Sequence, residues 1–560
     1  MRRVAKLIIG EDSLCRCPRI QRVHTQKERP LNIFYSFPAA GLAALWIGQA
    51  ASAGTILVTG SDSAAIQAAI ARSAPGDTVR LPAGVYAVTG TITLKSHITV
   101  AGAGIGKTIL RAALTVPSAM VSMSGCEDTG IEGLALDGAG DPNTRQGITA
   151  GSSRRLRLSH LAIRNFPSGQ GPLAIAFSGI NPTRAGGVTD SEVTDCVIEN
   201  IGVDDPWGCG MRMSWGSSRN RVLRNTIRET GRGGIFANDG STDLVIQENT
   251  VSGSHGEGLG IEIWGGCDRS VVEDNQIDHW LSLSGADGCA VRRNVISDQS
   301  GKYKACGIED VAASDCVLTD NRVDGGQGVG LSASNKPPKN YNFWGYDTFR
   351  DCNQWGAQLQ GEEGGVGWQY FYRCRFVDNP VGKGAPRYPD DSGHGFRTNG
   401  NAHHLTLEEC DISGNGRFGL QLGGSGVDFL SFVRCTIRDN KGAAVSGPGE
   451  YTALEWKDCN VERNGSNHLP EAKPFPHPAP TARFAAPPNP RAGKPVAFTD
   501  QSTAASGAIK QVLWDFGDGL PSTEPSSTHI YSRPGEYRVT LVVWDDSGRG
   551  ARMEQRIRVR

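Results

Sequence analysis

Two glutamates raise the question of chemistry. The stretch "GLGIEIWGG" (Gly258 to Gly266) sets Glu262 between Ile261 and Ile263, two residues before Trp264, and "GIEDVA" repeats the theme around Glu309. On a strand of period two the isoleucines share one face while Glu262 and Trp264 share the other, so the carboxylate is expected to be displayed rather than buried. A pair of carboxylates is what glycosidic cleavage asks for, one protonated to serve the leaving oxygen and one ionised to activate water.

Similar glycine-led strands recur along the chain, among them "GMRMSW", "GIFAND", "WLSLSG", "GLSASN", "GAQLQGEE", "GFRTNG" and "GLQLGG". Aligned, they predict an outward column of Arg212, Phe236, Glu262, Ser282, Glu309, Ser332, Gln358, Arg397 and Gln421. A second column, two residues on, carries Asn238 and Trp264. Such a polar stripe with scattered aromatics suits a groove that holds a sugar chain lengthwise. Trp264 would stack on a pyranose, Arg212 and Arg397 would hold acidic groups, and Asn238 and Gln358 would hydrogen-bond. Two strand rises set the Glu262 and Glu309 backbones ~10 Å apart. Side chains leaning together approach the ~6.5 to 9.5 Å of an inverting glycosidase more readily than the ~5 Å of a retaining one. Loops entering these strands add Trp207, His255 with Glu257, the Lys302, Tyr303, Lys304 run, and His394 behind Asp390 and Asp391.

The elements that must position these residues are repeats. Segments such as "VLRNTIRE", "VIQENTVS" and "VVEDNQID" carry Asn or Cys two residues before an apolar one, and Asn225 and Asn249 lie 24 residues apart. The series is read as Cys196, Asn225, Asn249, Asn275, Asn294, Asn321, Cys352, Cys374, Cys410, Cys435 and Cys459. One such residue per coil would stack along an axis at the strand spacing, with asparagines as a hydrogen-bonded ladder and cysteines as small apolar fillers. That use of the cysteines, with no C-x-x-C among the fourteen, argues against zinc. The pattern predicts an all-β right-handed parallel β-helix, a solenoid.

The segment from Ser61 to Gly104, "SDSAAIQAAIARSAPGDTVRLPAGVYAVTGTITLKSHITVAGAG", resembles the start of pectate-lyase-like β-helix proteins. The resemblance covers 54–465 as an architecture and implies that the helix carrying Ile66 and Ile70 caps the first coil. It leaves activity open, because this scaffold hosts hydrolases, lyases, epimerases and non-enzymes. "SGHG" is similar to the G-H-G of polygalacturonases, but that family's N-T-D and D-D motifs do not occur here in matching order. After a proline-rich stretch at 466–480, expected to be a semi-rigid linker, residues 481–560 with "WDFGDG" and "HIYSRPGEYRVTLVVWDDSG" resemble a PKD domain, a small immunoglobulin-like sandwich. Trp514, Phe516, Tyr537, Val539, Leu541 and Val543 read as its core, and the resemblance implies a spacer or surface-binding module. No kinase motif accompanies the "DFG".

Residues 1–53 read as a signal peptide with an N-terminal extension. Leu31 to Ala53 is uncharged and ends in "ASAG", and a start at Val23 would give a signal of ordinary length. The alternative is an uncleaved anchor. Cys15 and Cys17 receive no metal role. A secreted, periplasmic or cell-surface protein is expected, with a polysaccharide partner, no stable membrane insertion after cleavage and, at a net charge of -1, no nucleic acid. The leading expectation is a glycoside hydrolase with Glu262, Glu309, Arg397 and His394 as catalytic residues and Arg212, Asn238, Trp264, Gln358, Trp207, His255 and Tyr303 as binding residues. The second is a lyase or uronate epimerase using Arg397, His394, Tyr303 or Lys304. The third is a non-catalytic glycan-binding or adhesion protein. No cofactor or metal is required, calcium being possible for a lyase.

Overall fold

A computed structural model describes residues 53–560 apart from 256–257, 299–306, 327, 336–339, 383–390 and 448. The signal segment, Glu257, Tyr303 with its flanking lysines, and Asp390 lie outside the described residues.

The chain forms a parallel β-solenoid of about 15 turns followed by a β-sandwich. A helix at Ser63–Arg72 stands at the amino end, its first turn capped by the Asp62 carboxylate accepting from the Ala65 N–H at 2.8 Å. Its buried face of Ile66, Ala69 and Ile70 covers the first coil, which would otherwise offer an open strand edge. Each full coil then contributes to three parallel sheets. One contains Cys209–Ser214, Gly233–Ala237, Leu259–Trp264, Trp280–Ser284 and Ile308–Val311, stacked in register. The inward residues of these strands, Ile261, Ile263, Leu281, Leu283 and Ile308 among them, are fully buried and form a continuous core with those of the other two sheets.

The turns are built by side-chain ladders. The Cys196 N–H donates to Asn225 Oδ1, and the backbone and side-chain amides of Asn225, Asn249, Asn275 and Asn294 each donate to the next member at 2.9 to 3.1 Å. Asn321 donates in the same way to Asp347 Oδ1 at 2.7 and 2.9 Å. The place expected for Cys352 therefore belongs to Asp347, and Cys374 follows it. Cys352 instead heads a second ladder, donating to Asn379, which leads on through Asn415 and Asn440 to Asn464. Asp347 meets the same spacing in "DTF", an aspartate where the other members are Asn or Cys.

Asp347 is the odd member chemically. In the asparagines the second amide hydrogen goes to a carbonyl one coil back, as from Asn321 to Val291 O at 2.9 Å. Asp347 Oδ2 is buried without a partner, and burial pushes its carboxyl well above the usual range, which disfavours the ionised form. A folded-state pKa above the unfolded one gives stability that is full below the unfolded pKa and is lost as pH rises through the folded value. Asp347→Asn restores the amide and removes this loss. Its unfolding free energy at neutral pH should exceed that of the unsubstituted chain by about 1 to 3 kcal/mol, with the difference shrinking toward acid pH; equal denaturation midpoints at all pH would disprove the assignment.

The C-terminal sandwich pairs Phe484–Ala485, Pro495–Asp500 and Ser526–Ile530 against Ile509–Asp515, Gly535–Asp545 and Gly550–Val559. Trp514, Phe516, Val539, Leu541 and Val543 are buried in its core, while Tyr537 is partly buried at the margin. The sandwich is seated on the solenoid. Leu513, Val542 and Trp544 pack against Val317, Tyr341, Phe343, Tyr370 and Tyr372, and Arg292 donates to Asp515 Oδ1 at 2.7 Å with both side chains buried. Tyr346 with Glu554 and Arg552 with Glu408 continue the seam.

The proline-rich stretch at 466–480 makes contacts of its own with the last coil and the sandwich. Lys473 pairs through its backbone with Leu454, Pro470 O accepts from Trp456 Nε1 at 3.0 Å, and the Arg549 guanidinium covers Phe475. The final coil's strand Leu454–Lys457 thus gains a backbone partner where the solenoid would otherwise end in unpaired groups.

Candidate active site

The outward column is continuous through the strand register. Arg212 pairs with Phe236, Phe236 with Glu262, Glu262 with Ser282, Ser282 with Glu309, and the series runs on through Ser332, Gln358 and Arg397 to Gln421. Glu262 and Glu309 are therefore two strand rises apart with Ser282 between. Trp264 stands at the edge of this stripe, 44% exposed.

Glu262 differs from expectation in one respect. It faces outward but is only 9% exposed. The alternation rule gives direction and not depth; here Phe236 and Ser282 flank the carboxylate in register and the neighbouring coils shade it. Burial raises its pKa, offset by the nearby Arg232, raised further by Glu309 and lowered by Arg212. Glu309 is half-buried, and burial raises its pKa as well, moderated by the Ser282 hydroxyl donating to Oε2 at 2.6 Å. The two carboxyls thus sit in unequal fields: arginines act on Glu262, and a neutral hydroxyl on Glu309.

Toward the carboxyl end of the column lies a second cluster. Arg397 donates to Asp391 Oδ2 at 2.7 Å, to Gln421 Oε1 at 2.8 Å and to Gln358 Oε1 at 3.2 Å, with its guanidinium 4.5 Å above the Trp355 ring. The Asp391 carboxylate is drawn down to about 2, chiefly by its hydrogen bond with His394 and also by the charge of Arg397. The charge of Arg397 is thereby balanced within the protein. His394 is 0% exposed, stacks on Phe418, and accepts the Phe418 N–H at Nδ1, which leaves Nε2 to donate to Asp391 at 3.1 Å. Burial lowers its pKa, partly countered by Asp391. The ring is fully buried, and its polar contact toward the groove is the hydrogen bond to Asp391.

At the amino end of the column a cleft of about 480 Å³ is lined by Gly169, Gly171, Asp204, Trp207 and Arg212. Asp205 fixes its rim, accepting from the Gly169, Gly171 and Trp207 N–H groups at 2.7 to 2.9 Å. Asn238 accepts from Arg212 Nε at 3.4 Å. Arg232, which the sequence reading did not single out, lies over both Trp207 and Phe236, at 5.1 and 5.7 Å from the ring centroids. Its signal was the alternation of basic and aromatic residues in neighbouring coils. His255 pairs with Glu229 at 2.7 Å on another sheet's corner and is not brought to the carboxylate pair. Among the described residues no three His, Cys, Asp or Glu groups converge as metal ligands, and no helix is long and apolar enough to cross a membrane.

A family model described as a right handed beta helix region matches residues 118–277, and one described as a PKD domain matches 477–560. The chain is a right-handed β-helix carrying a C-terminal PKD domain. The β-helix is similar to mannuronan C5-epimerase AlgE5 of Azotobacter vinelandii, 30% identical over 226 residues, 36% of this chain and 21% of that protein. The PKD domain is similar to part of collagenase ColQ1 of Bacillus cereus, 40% identical over 83 residues, 15% of this chain and 9% of the collagenase. The chain therefore spans less than a quarter of either relative. Among solved structures, a mutant of the PL6 family alginate lyase AlyGC aligns at 15% identity over 73% of this chain and 53% of its own, with a TM-score of 0.44.

Proposed function

We propose that the β-helix groove belongs to an exported enzyme that cleaves a polysaccharide by hydrolysis. Glu309 serves as the general acid and Glu262 as the general base, with inversion at the anomeric carbon. The observation that carries this reading is the placement of two partly desolvated carboxylates in one outward column, two strands apart, with unequal partners. Glu309, raised by burial with only the Ser282 hydroxyl opposing that rise and no arginine acting on it, is the one to give a proton to the leaving oxygen; Glu262, near Arg232 and Arg212, is the better placed to be ionised and draw a proton from water. Trp264 and Trp207 offer ring-stacking faces along the groove. The signal-like segment supports export.

A second reading, elimination or epimerisation of a uronate, is favoured by the similarity to a mannuronan C5-epimerase. It would place the chemistry near Arg397, whose engagement with Asp391 leaves it less suited to clamp a substrate carboxylate. Incubation with neutral and uronate polysaccharides, following reducing ends and the ultraviolet absorbance of unsaturated sugars together, separates the two. Reducing ends without absorbance support hydrolysis; absorbance refutes it, and silence in both channels points to epimerisation or to binding alone. Hydrolysis by the carboxylate pair also predicts that a chelator leaves the rate unchanged, measured before and after dialysis against EDTA; a loss restored by calcium would count for the lyase.

A further inference from the structure

Arginines at the corners of the solenoid are matched to carboxylates one coil away, as in Arg219 with Asp190 at 2.7 Å, Arg224 with Asp195 at 2.8 Å and Arg269 with Asp243 at 2.8 Å. The groove's far arginine, Arg397, is matched by Asp391. Arg212 and Arg232 are different. Among the described residues neither has a carboxylate within 4.0 Å, and what they do touch is an amide oxygen and two aromatic rings. Asp204 on the cleft rim is beyond that distance from both. Two guanidinium groups without a direct ion pair, their charge felt at longer range by Glu262 and, for Arg212, by Asp239, thus flank Trp207, an indole 59% exposed on a loop whose N–H groups Asp205 accepts from.

From this we infer that the Trp207, Arg212 and Arg232 cleft is a subsite for a sugar bearing an anionic group, read on the Glu262 side of the groove only. The inference rests on the groove being the glycan site. Trp207 supplies the stacking face, and the guanidinium groups receive a carboxylate or sulfate through charge-assisted hydrogen bonds. At the opposite end Arg397 is already in a direct ion pair with Asp391, so the two ends of the groove differ in whether an arginine is free of a carboxylate contact to receive an anionic group. Phe236, under Arg232 and in register between Arg212 and Glu262, leaves Arg212 two strand rises from the nearer carboxylate.

The test is calorimetric binding to the full chain carrying Glu309→Gln, using oligouronates and neutral gluco-oligosaccharides of matched length at low and high salt. The oligouronate is expected to bind about tenfold more tightly or better, with the advantage shrinking as salt rises. Arg212→Gln or Arg232→Gln should cost about tenfold in oligouronate affinity and leave the neutral ligand unchanged, Arg212→Lys should recover part of the loss, and Trp207→Ala should weaken both ligands. Equal binding of the two ligands, binding of neither, or equal weakening of both by the arginine substitutions would overturn the subsite. Unchanged thermal midpoints exclude misfolding as the cause. Failure of the catalytic reading shows separately, as no turnover of any polysaccharide by the unsubstituted chain.

Discussion

Glu309→Gln is expected to lower polysaccharide turnover by about 10²- to 10⁴-fold while leaving oligosaccharide affinity near that of the unsubstituted chain. The amide keeps the size of the acid and a donor in the groove but has no proton to release to a leaving oxygen. Glu262→Gln should cost a similar factor by removing the base. The pH profile carries the same information with its sign. Burial raises both carboxyls, so both limbs of the bell should lie above the ordinary carboxylate range. Activity rises on the acid side as Glu262 loses its proton and falls on the alkaline side as Glu309 loses its own. Substituting Arg232 removes a charge that favours ionised Glu262, so the acid limb should shift to higher pH. Initial rates across pH for the two glutamine variants and for Arg232→Gln test this, and a Glu309→Gln chain with undiminished turnover would refute the assignment.

The second large effect concerns the seam between the domains. Arg292→Ala should destabilise the full chain by about 3 to 5 kcal/mol, because it leaves the Asp515 carboxylate buried opposite an empty volume. Asp515→Leu combined with Arg292→Met should recover most of that loss, since a buried ion pair replaced on both sides by apolar groups of similar size costs little. Trp544 lies buried in the same seam, so its fluorescence should report the opening in Arg292→Ala and return in the double variant. Denaturant unfolding followed through that signal decides the matter. A loss below about 1 kcal/mol for Arg292→Ala would mean that the buried pair carries little of the seam's stability.

The repeat was legible because a solenoid writes one residue type at one place per coil, and two outward columns could be aligned from glycine-led strands alone. What could not be read was depth. Alternation told that Glu262 points outward, yet Phe236 and Ser282 beside it decide how far it is covered. Charge balance was equally hidden: Arg397 looked available until Asp391, six residues earlier in the chain, folded back onto it. Arg292 gave no warning of its partner, since Asp515 lies 223 residues away in another domain. The Asp347 substitution in the asparagine ladder was visible in spacing and missed through too narrow a choice of residue types.

Two strands, Trp355–Tyr372 and His394–Glu408, run from the groove into the seam without leaving the sheet, turning at Gly361 and Gly400, which pair with each other. Gln358 and Arg397 sit at one end of these strands, and Tyr370 and Glu408 under the PKD domain at the other. Between Gly361 and Val366 the first strand carries extra residues opposite a single residue of the second, so the pairing is interrupted there and resumes. The same two strands thus carry groove residues at one end and seam residues at the other, so the seat of the PKD domain and the groove are parts of one sheet.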